Sequence, residues 1–325
     1  MALTINGSLG KRGFVFTAVA VLIVFFMLVL AWGEGRGADR AQTRAEQALI
    51  AQSYITNLEA DLPRAAYISS FRCFLALEEQ VSESGEFIPD IDVAFGECFM
   101  NGSINGTQGA LMEDSSFNDL TARFSSILGS RGLQLSITPV TASVEHASPF
   151  TVRTRVILEV RVYSIESTIS LNRTILIEAL VPITDIKDPL YSVRTAGRNP
   201  VPIRESTIAR PYITPGNVTT NLLLLINTTQ YILDSSGPDF LMRFEGNLSS
   251  SPNGIASLVP IADIAAQDLP IDTCKSIVDY KYFGPDDTTP NRLIVNTDGG
   301  EVWFSDSDLA DYDAVGKTVG DKTCT

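Results

Sequence analysis

The carboxylates best placed to bind a metal ion lie near the end of the chain, at Asp306, Asp308, Asp311 and Asp313. Oxygen ligands of this kind suit Ca²⁺, so the four side chains form a weak calcium candidate. Their spacing differs from an EF-hand loop, which needs a glycine at its sixth position and a glutamate at its twelfth. Helix capping and solvated surface charge are therefore the favoured interpretation.

Residues for nucleophilic catalysis are scarce. The chain has one histidine, His146, and no GxSxG, P-loop or GxGxxG sequence, so a catalytic triad has a single candidate base. The surrounding sequence TASVEHASPF predicts that His146 lies in a surface loop. Paired carboxylates for glycoside hydrolysis can come from any part of a chain, and no pair is indicated. We expect a non-enzymatic protein without a cofactor, with an envelope glycan hydrolase as the less favoured alternative.

The cysteines and sequons favour an oxidising compartment outside the cytoplasm. Four cysteines without a CxxC pair are typical of disulfides. They allow three connectivities, of which we expect nearest-neighbour pairing, Cys73–Cys98 and Cys274–Cys324. Six N-x-S/T sequons beyond residue 32 provide glycosylation candidates, namely Asn101, Asn105, Asn172, Asn217, Asn227 and Asn247.

An uncharged apolar run at 14–32 determines the expected placement of the chain. Nineteen helical residues span roughly 28 Å, close to the ~30 Å hydrocarbon core of a bilayer. Lys11 and Arg12 precede the run without an acidic residue, which places the N-terminus in the cytoplasm and the bulk of the chain outside. A cleaved secretory signal is the competing interpretation, but its apolar part extends to only about 15 residues. We therefore expect a retained, single-pass transmembrane helix.

Composition limits the remaining classes of function. The chain has 325 residues, 45% of them hydrophobic, which suffices for two domains beside the anchor. Its net charge of −14 repels nucleic acid, so nucleic-acid binding is excluded.

Helical periodicity dominates the residues after the apolar run. Apolar side chains recur at three- and four-residue steps from residue 37 to about 81, and Pro63 predicts a kink or a restart. The apolar stripe packs on its own domain or, alternatively, forms a seam between subunits. Residues 83–111 predict a loop, after which Ser116 and Asp119 form a capping box for a helix.

Alternating patterns indicate strands further along. The runs 152–163 and 169–180 predict an antiparallel hairpin packed on the preceding helix. A helix over 218–234 follows, then short strands at 254–259, 276–283, 293–296 and 301–304 and a last helix from Ser305. The predicted fold class is α+β, with these divisions: cytoplasmic leader 1–13, transmembrane helix 14–32, amphipathic stalk helix 33–82, first α+β region 83–187, Pro-rich linker 188–216 and second α+β region 217–325.

Several short phrases along the chain resemble those of a known group of proteins. Arg12-Gly13-Phe14 is similar to a prepilin leader, which implies possible cleavage between Gly13 and Phe14. Ala18 stands where bacterial type IV prepilins carry a glutamate, so processing and retention of the leader both stay open. The other phrases are spread along the chain: DPLY at 188–191, FLMRFEGN at 240–247, GIASLV at 254–259, SIVDYKYF at 276–283, and Phe304, Leu309 and Tyr312.

Together these phrases resemble those of archaeal pilin-like, single-span envelope proteins. The resemblance implies an archaeal envelope protein whose apolar helix lies in lipid or packs with sister subunits in a homo-oligomer or filament. We expect a membrane-anchored, extracellular structural or adhesive component. The alternative is a ligand-binding or sensory-accessory module that works with a membrane partner.

Overall fold

The structure is a computed structural model that describes residues 11–129, 133–164, 170–214, 218–272, 274–285, 292–297 and 300–315. Its first helix, α1, runs over Lys11–Ser84, a length of 74 residues, with Pro63 inside it. The restart expected at Pro63 is therefore wrong. An interior proline costs a helix roughly 3 kcal/mol, but Leu62 and Ala66 beside it are fully buried. Their packing holds the helix together across the proline.

The predicted transmembrane helix, 14–32, lies within α1. Within the described part of the chain, no helix has the combination of length and apolar character that a membrane crossing requires. The side chains at 14–18 and 30–32 of the predicted span lie outside the described residues, as does the leader up to residue 10.

The stretch predicted to be a loop contains a helix, α2, over Ile91–Asn101. Asp90 caps its first turn by accepting a hydrogen bond from the backbone N–H of Val93, and Gly102 ends it in the left-handed conformation. Asp90 and Gly102 are ordinary helix-boundary signals. The abundance of Gly and Asn in the surrounding sequence favours a loop and so works against the prediction of a helix. A two-stranded hairpin follows, with β1 at Ser103–Ile104 and β2 at Thr107–Gln108.

The expected capping box is present before helix α3, which spans Phe117–Gly129. The backbone N–H of Asp119 donates to Ser116 Oγ at 3.1 Å, and the N–H of Ser116 donates to the Asp119 carboxylate at 3.3 Å. A short 3-10 helix at Ala110–Met112 connects α3 to the hairpin.

The central sheet is antiparallel, with β3 at Leu133–Ser148, β4 at Thr151–Ser164 and β5 at Ser170–Pro182. The predicted pairing of the last two strands is confirmed, and Val156 lies opposite Ile177. Alternate side chains of β4 are buried, as the pattern predicts. The helix that packs on β4 and β5 is α1, whereas the expected partner, α3, packs mainly on β3. Buried Thr154 accepts a hydrogen bond from Ser70 Oγ of α1 at 2.9 Å, which satisfies the polar group on this inner face.

The remainder of the chain forms short elements around the same core. They are α4 at Pro189–Arg194, α5 at Thr220–Thr228, β6 at Ile232–Leu233, α6 at Phe240–Phe244, β7 at Ile255–Ala256, α7 at Ile261–Ala266, α8 at Asp279–Tyr282, β8 at Arg292–Thr297, β9 at Gly300–Ser305 and a 3-10 helix at Asp306–Asp308. The expected β8–β9 pairing is present. The expected strand at 276–283 is wrong in its second half, because buried Asp279 begins a helical turn there.

One hydrophobic cluster joins both predicted α+β regions, from Leu58 on α1 to Ala314 near the end of the described chain. Leu190, Tyr191 and Ile203 of the expected linker are fully buried in it. These linker residues are therefore part of the core, and the division of the chain into separate regions stays a prediction. The coarse fold class, α+β with antiparallel sheets, is as expected.

Candidate functional site

One candidate interaction surface among the described residues is the apolar segment of α1, defined here as residues 19–29. Every large side chain in it is about half exposed or more, from 49% at Val19 to 68% at Val21 and Met27. Exposure extends to all sides of the helix instead of following one stripe. A helix that is apolar all round needs a covering environment, either other protein or lipid.

The part of the chain that shares the main hydrophobic core, from Leu58 to Ala314, is called the body here. It is organised around a buried ionic cluster of Asp188, Arg243 and Asp279. All three side chains are completely buried. Arg243 Nη1 donates to Asp188 Oδ2 at 2.6 Å and to Asp279 Oδ2 at 3.0 Å. Arg243 Nη2 contacts Asp279 and the carbonyl oxygen of Ile255. The guanidinium thus links α4, α6, β7 and α8 at one point.

Tyrosine and serine hydroxyls complete the ionic cluster. Tyr231 OH donates to Asp188 Oδ2 at 2.7 Å, and Ser257 donates to Asp279 Oδ2 through its N–H at 3.0 Å and its hydroxyl at 2.8 Å. Burial raises the pKa of Asp188 above its usual range, although Arg243 lowers it. The pKa of Tyr231 is raised well above its usual range by burial and by Asp188. The three charged side chains are fully buried, and their hydrogen bonds join separate elements of the fold.

The short phrases identified in the sequence converge on this cluster. DPLY contributes Asp188, FLMRFEGN contributes Arg243, GIASLV contributes Ser257 and SIVDYKYF contributes Asp279. Sequence reasoning identified the phrases but missed their shared role, because Arg243 lies 55 residues from Asp188 and 36 from Asp279. The phrases are therefore architectural in this chain.

His146 is not in a surface loop, as its sequence context predicted, but in strand β3. Its side chain is only 4% exposed, and Nε2 lies 3.3 Å from Oδ1 of Asp239. Asp239 caps α6 by accepting from the N–H of Met242, and Ser251 Oγ also donates to it. Burial raises the pKa of Asp239, but the hydrogen bond and charge of His146 with the other donors lower it to about 2. His146 therefore ties the sheet to α6.

The four aspartates of the calcium candidate do not form a ligand set in the described part of the chain, where no group of three metal-binding side chains occurs. Asp308 is paired with Lys281, whereas Asp313 is paired with Arg210 at 3.2 Å. Burial and the nearby Asp234 and Asp308 raise the pKa of Asp311. The side chain of Asp306 lies outside the described residues.

Lys281 also donates to Ser305 Oγ at 2.7 Å, an arrangement that superficially resembles a serine–lysine catalytic pair. A lysine activates a serine as a neutral amine. Lys281 instead faces the carboxylate of Asp308, and Ser305 Oγ donates to that same carboxylate at 2.7 Å. This geometry fits a structural ion pair between α8 and the 3-10 helix that follows β9.

Cys73 and Cys98, the pair chosen from the sequence, form a disulfide between α1 and α2 with a Cα–Cα distance of 5.7 Å. Cys324, the predicted partner of Cys274, lies outside the described residues. Asn217 also lies outside them. The other sequon asparagines are exposed, namely Asn101, Asn105, Asn172, Asn227 and Asn247.

A surface groove of about 390 Å³ lies between α1 and the β1–β2 hairpin. Its walls combine apolar residues, Ala76 and Ile104 among them, with the polar residues Glu79, Gln80, Glu83, Asn105 and Gln108. A second groove, of about 340 Å³, lies on the outer face of the sheet beside Asn172. Each of these grooves is lined by a sequon asparagine.

No protein family, curated protein or solved structure matches the chain.

Proposed function

We propose that the chain is a non-enzymatic, single-pass cell-surface protein of pilin-like type. In this proposal the apolar segment of α1 lies in lipid or against sister subunits, the N-terminus is cytoplasmic, and the α+β body is extracellular. The observation that carries the proposal is the exposure of the apolar segment on all sides of one helix.

The energetic cost of leaving this segment in water supports the proposal. Ten large apolar side chains between Val19 and Val29 are about half exposed or more. Completing the burial of each contributes roughly 1 kcal/mol, about half the 1.5–3 kcal/mol of a fully buried side chain, so the segment gains on the order of 10 kcal/mol. That free energy corresponds to about seven powers of ten in a partition constant. A lipid or protein environment is therefore strongly favoured over water.

The helix itself supports a structural role. The eleven residues 19–29 span about 16 Å, roughly half of a hydrocarbon core, and the apolar sequence continues on both sides to 14 and 32. α1 then runs unbroken into the core, where Leu58, Leu62 and Leu77 are buried. A helix that is anchored at one end and packed into the body at the other transmits force between them, as an adhesive or filament subunit requires.

The extracellular placement draws support from two independent features. The Cys73–Cys98 disulfide suits an oxidising compartment. Five described sequon asparagines are exposed to modifying enzymes, including Asn227 and Asn247 on separate elements.

Fractionation of native cells, combined with mass spectrometry of the N-terminus, tests the proposal. A membrane-anchored protein is extracted only by detergent and retains its leader up to Gly13, with or without Met1. A filament subunit sediments as a polymer and begins at Phe14. Recovery of the intact chain as a monomer from the aqueous cytoplasmic fraction would contradict both forms of the proposal.

A further inference from the structure

The groove beside the β1–β2 hairpin has the size and polarity of a small binding site. Its volume of about 390 Å³ lies at the low end of the roughly 300–1,000 Å³ that small-molecule sites occupy. Ala76 and Ile104 supply buried apolar surface. Carboxylate and amide groups surround that surface, contributed by Glu79, Gln80, Glu83 and Gln108. Apolar patches bordered by hydrogen-bond acceptors suit a sugar ring.

The hairpin that forms one wall is held in a fixed conformation. Asn105 and Gly106 have φ values of 51° and 75° and connect the paired residues Ile104 and Thr107, the geometry of a type I′ turn. The carboxylate of Glu97 accepts the backbone N–H groups of Asn105 at 3.2 Å and Gly106 at 2.8 Å. The turn therefore presents Asn105 at a defined position on the groove.

Asn105 is at once a lining residue of the groove and the first residue of the sequon Asn105-Gly106-Thr107. We propose that Asn105 carries an N-linked glycan whose first sugar residues lie in this groove. In the attachment step the side-chain amide nitrogen of Asn105 forms a bond to the anomeric carbon of a lipid-linked sugar phosphate. The bond from that carbon to the phosphate oxygen breaks, the lipid phosphate leaves, and the amide nitrogen gives up one proton. In the groove, the hydroxyl groups of the sugar residues donate to the oxygens of Glu79, Gln80 and Glu83. Gln80 Oε1 is a buried acceptor without a hydrogen-bond partner among the described residues. In the proposed arrangement the Gln80 amide turns toward the groove and accepts a hydrogen bond from the sugar.

The groove holds a glycan attached to the chain more readily than it holds a free sugar. A covalently attached sugar has an effective concentration in the millimolar range or above at the groove. Weak contacts that cannot retain a free ligand are then sufficient to hold it. The inference rests on the proposed function, because glycosylation requires that the body reach the compartment where sequons are modified.

The test uses the full chain isolated from its native membrane, with two substitutions at one position. Thr107→Val removes the sequon but keeps Asn105 in its turn, and Thr107→Ser retains the sequon as the matched control. Peptide mass spectrometry measures occupancy at Asn105 and at Asn247, a sequon outside the groove lining. Hydrogen exchange measures the protection of the hairpin at 103–108.

We expect Asn105 to be occupied and hairpin exchange to accelerate about tenfold in Thr107→Val but not in Thr107→Ser. The double substitution Glu79→Ala/Glu83→Ala, which leaves the sequon intact, accelerates exchange in the wild-type background. It adds little when Thr107→Val has already removed the glycan, because the two changes break the same contact.

Two results overturn the inference in distinguishable ways. If Asn247 is occupied, either of two observations refutes the groove assignment alone. One is the absence of a glycan at Asn105, and the other is equal hairpin exchange in the two Thr107 variants. The absence of glycan from every described sequon also contradicts the proposed surface location.

Discussion

Arg243 is the side chain on which the interior depends most directly, since it is the only cation in the cluster that it forms with Asp188 and Asp279. Replacing it with methionine leaves two carboxylates facing each other in a fully buried site. Removing one partner of a buried ion pair typically costs 3–5 kcal/mol. We therefore expect Arg243→Met to lower the free energy of unfolding of the body by about that amount, measured by urea denaturation.

The matched control for Arg243→Met is Arg204→Met. Arg204 pairs with Asp185 at 2.8 Å, but both side chains are more than half exposed, and exposed pairs contribute about 0–1 kcal/mol. If the two variants lose equal stability, the ionic cluster does not hold the fold together.

The lowered pKa of Asp239 predicts that acid reduces the free energy of unfolding over a defined pH range. Its pKa is lowered to about 2 in the folded protein, against an unfolded value near 3.9. A carboxyl group whose pKa is lowered by folding stabilises the folded state at pH values above its unfolded pKa. That contribution is lost as the pH falls from about 4 to about 2. The full linkage is about 2.6 kcal/mol, and partial exposure of the carboxylate reduces the expected effect to roughly 1–2 kcal/mol.

Asp239→Asn isolates this effect, because asparagine retains the helix-capping acceptor while removing the charge. Unfolding free energies measured from pH 2 to 5 are expected to show a shallower slope in the variant than in the wild type. Identical slopes would mean that the His146–Asp239 contact makes no charge-dependent contribution.

Among the elements, helix α1 contains Pro63, whose cost to the helix is offset by the packing of the residues around it. Pro63 is only partly buried, and alanine at this position restores a backbone N–H donor. We expect Pro63→Ala to raise the free energy of unfolding by about 1–3 kcal/mol. Arg64→Ala, at the exposed neighbouring position, is expected to change it by less than about 0.5 kcal/mol. Loss of stability in Pro63→Ala would show that the proline ring contributes packing that outweighs its helix cost.

The disulfide between α1 and α2 offers a second test of how elements are joined. It closes a loop with a sequence separation of 25 residues, for which the chain-entropy relation gives roughly 3–4 kcal/mol. Replacing both Cys73 and Cys98 with alanine is expected to lower the unfolding free energy by about that amount. A much smaller loss would indicate that the buried aromatic contacts between the helices, such as Phe74 with Phe95, suffice alone.

Local patterns explain which elements could be predicted. Strand β4 was accessible because its apolar and polar residues alternate, and α3 because a capping box marks its start. Helix α2 was missed although Asp90 and Gly102 mark its ends, since its surroundings have the composition of a loop. The ionic cluster could not be predicted, because burial of Arg243 depends on partners that no local pattern connects to it. The position of His146 beside Asp239 depends on a tertiary contact in the same way.

At the scale of the whole molecule, two environments can cover the apolar segment of α1. The apolar segment at 19–29 is exposed on all sides, whereas the Cys73–Cys98 disulfide and the exposed sequon asparagines lie further along the chain. Lipid and a bundle of sister helices would both cover the segment. We propose that the N-terminal part of the chain places the protein in lipid or in a bundle of sister helices.

Membrane association of a charged variant tests this claim most directly. Leu22→Lys/Phe26→Lys introduces two charges into the apolar segment, whereas Leu176→Lys/Leu180→Lys introduces two on the outer face of the sheet, where both leucines are also more than half exposed. A lysine at the centre of a membrane helix costs about 2.5–3.5 kcal/mol. In flotation of native membranes and sedimentation of filaments, we expect the wild type and the sheet variant to be recovered with membrane or polymer, and the segment variant to be lost from both. Equal recovery of all three proteins would contradict the account.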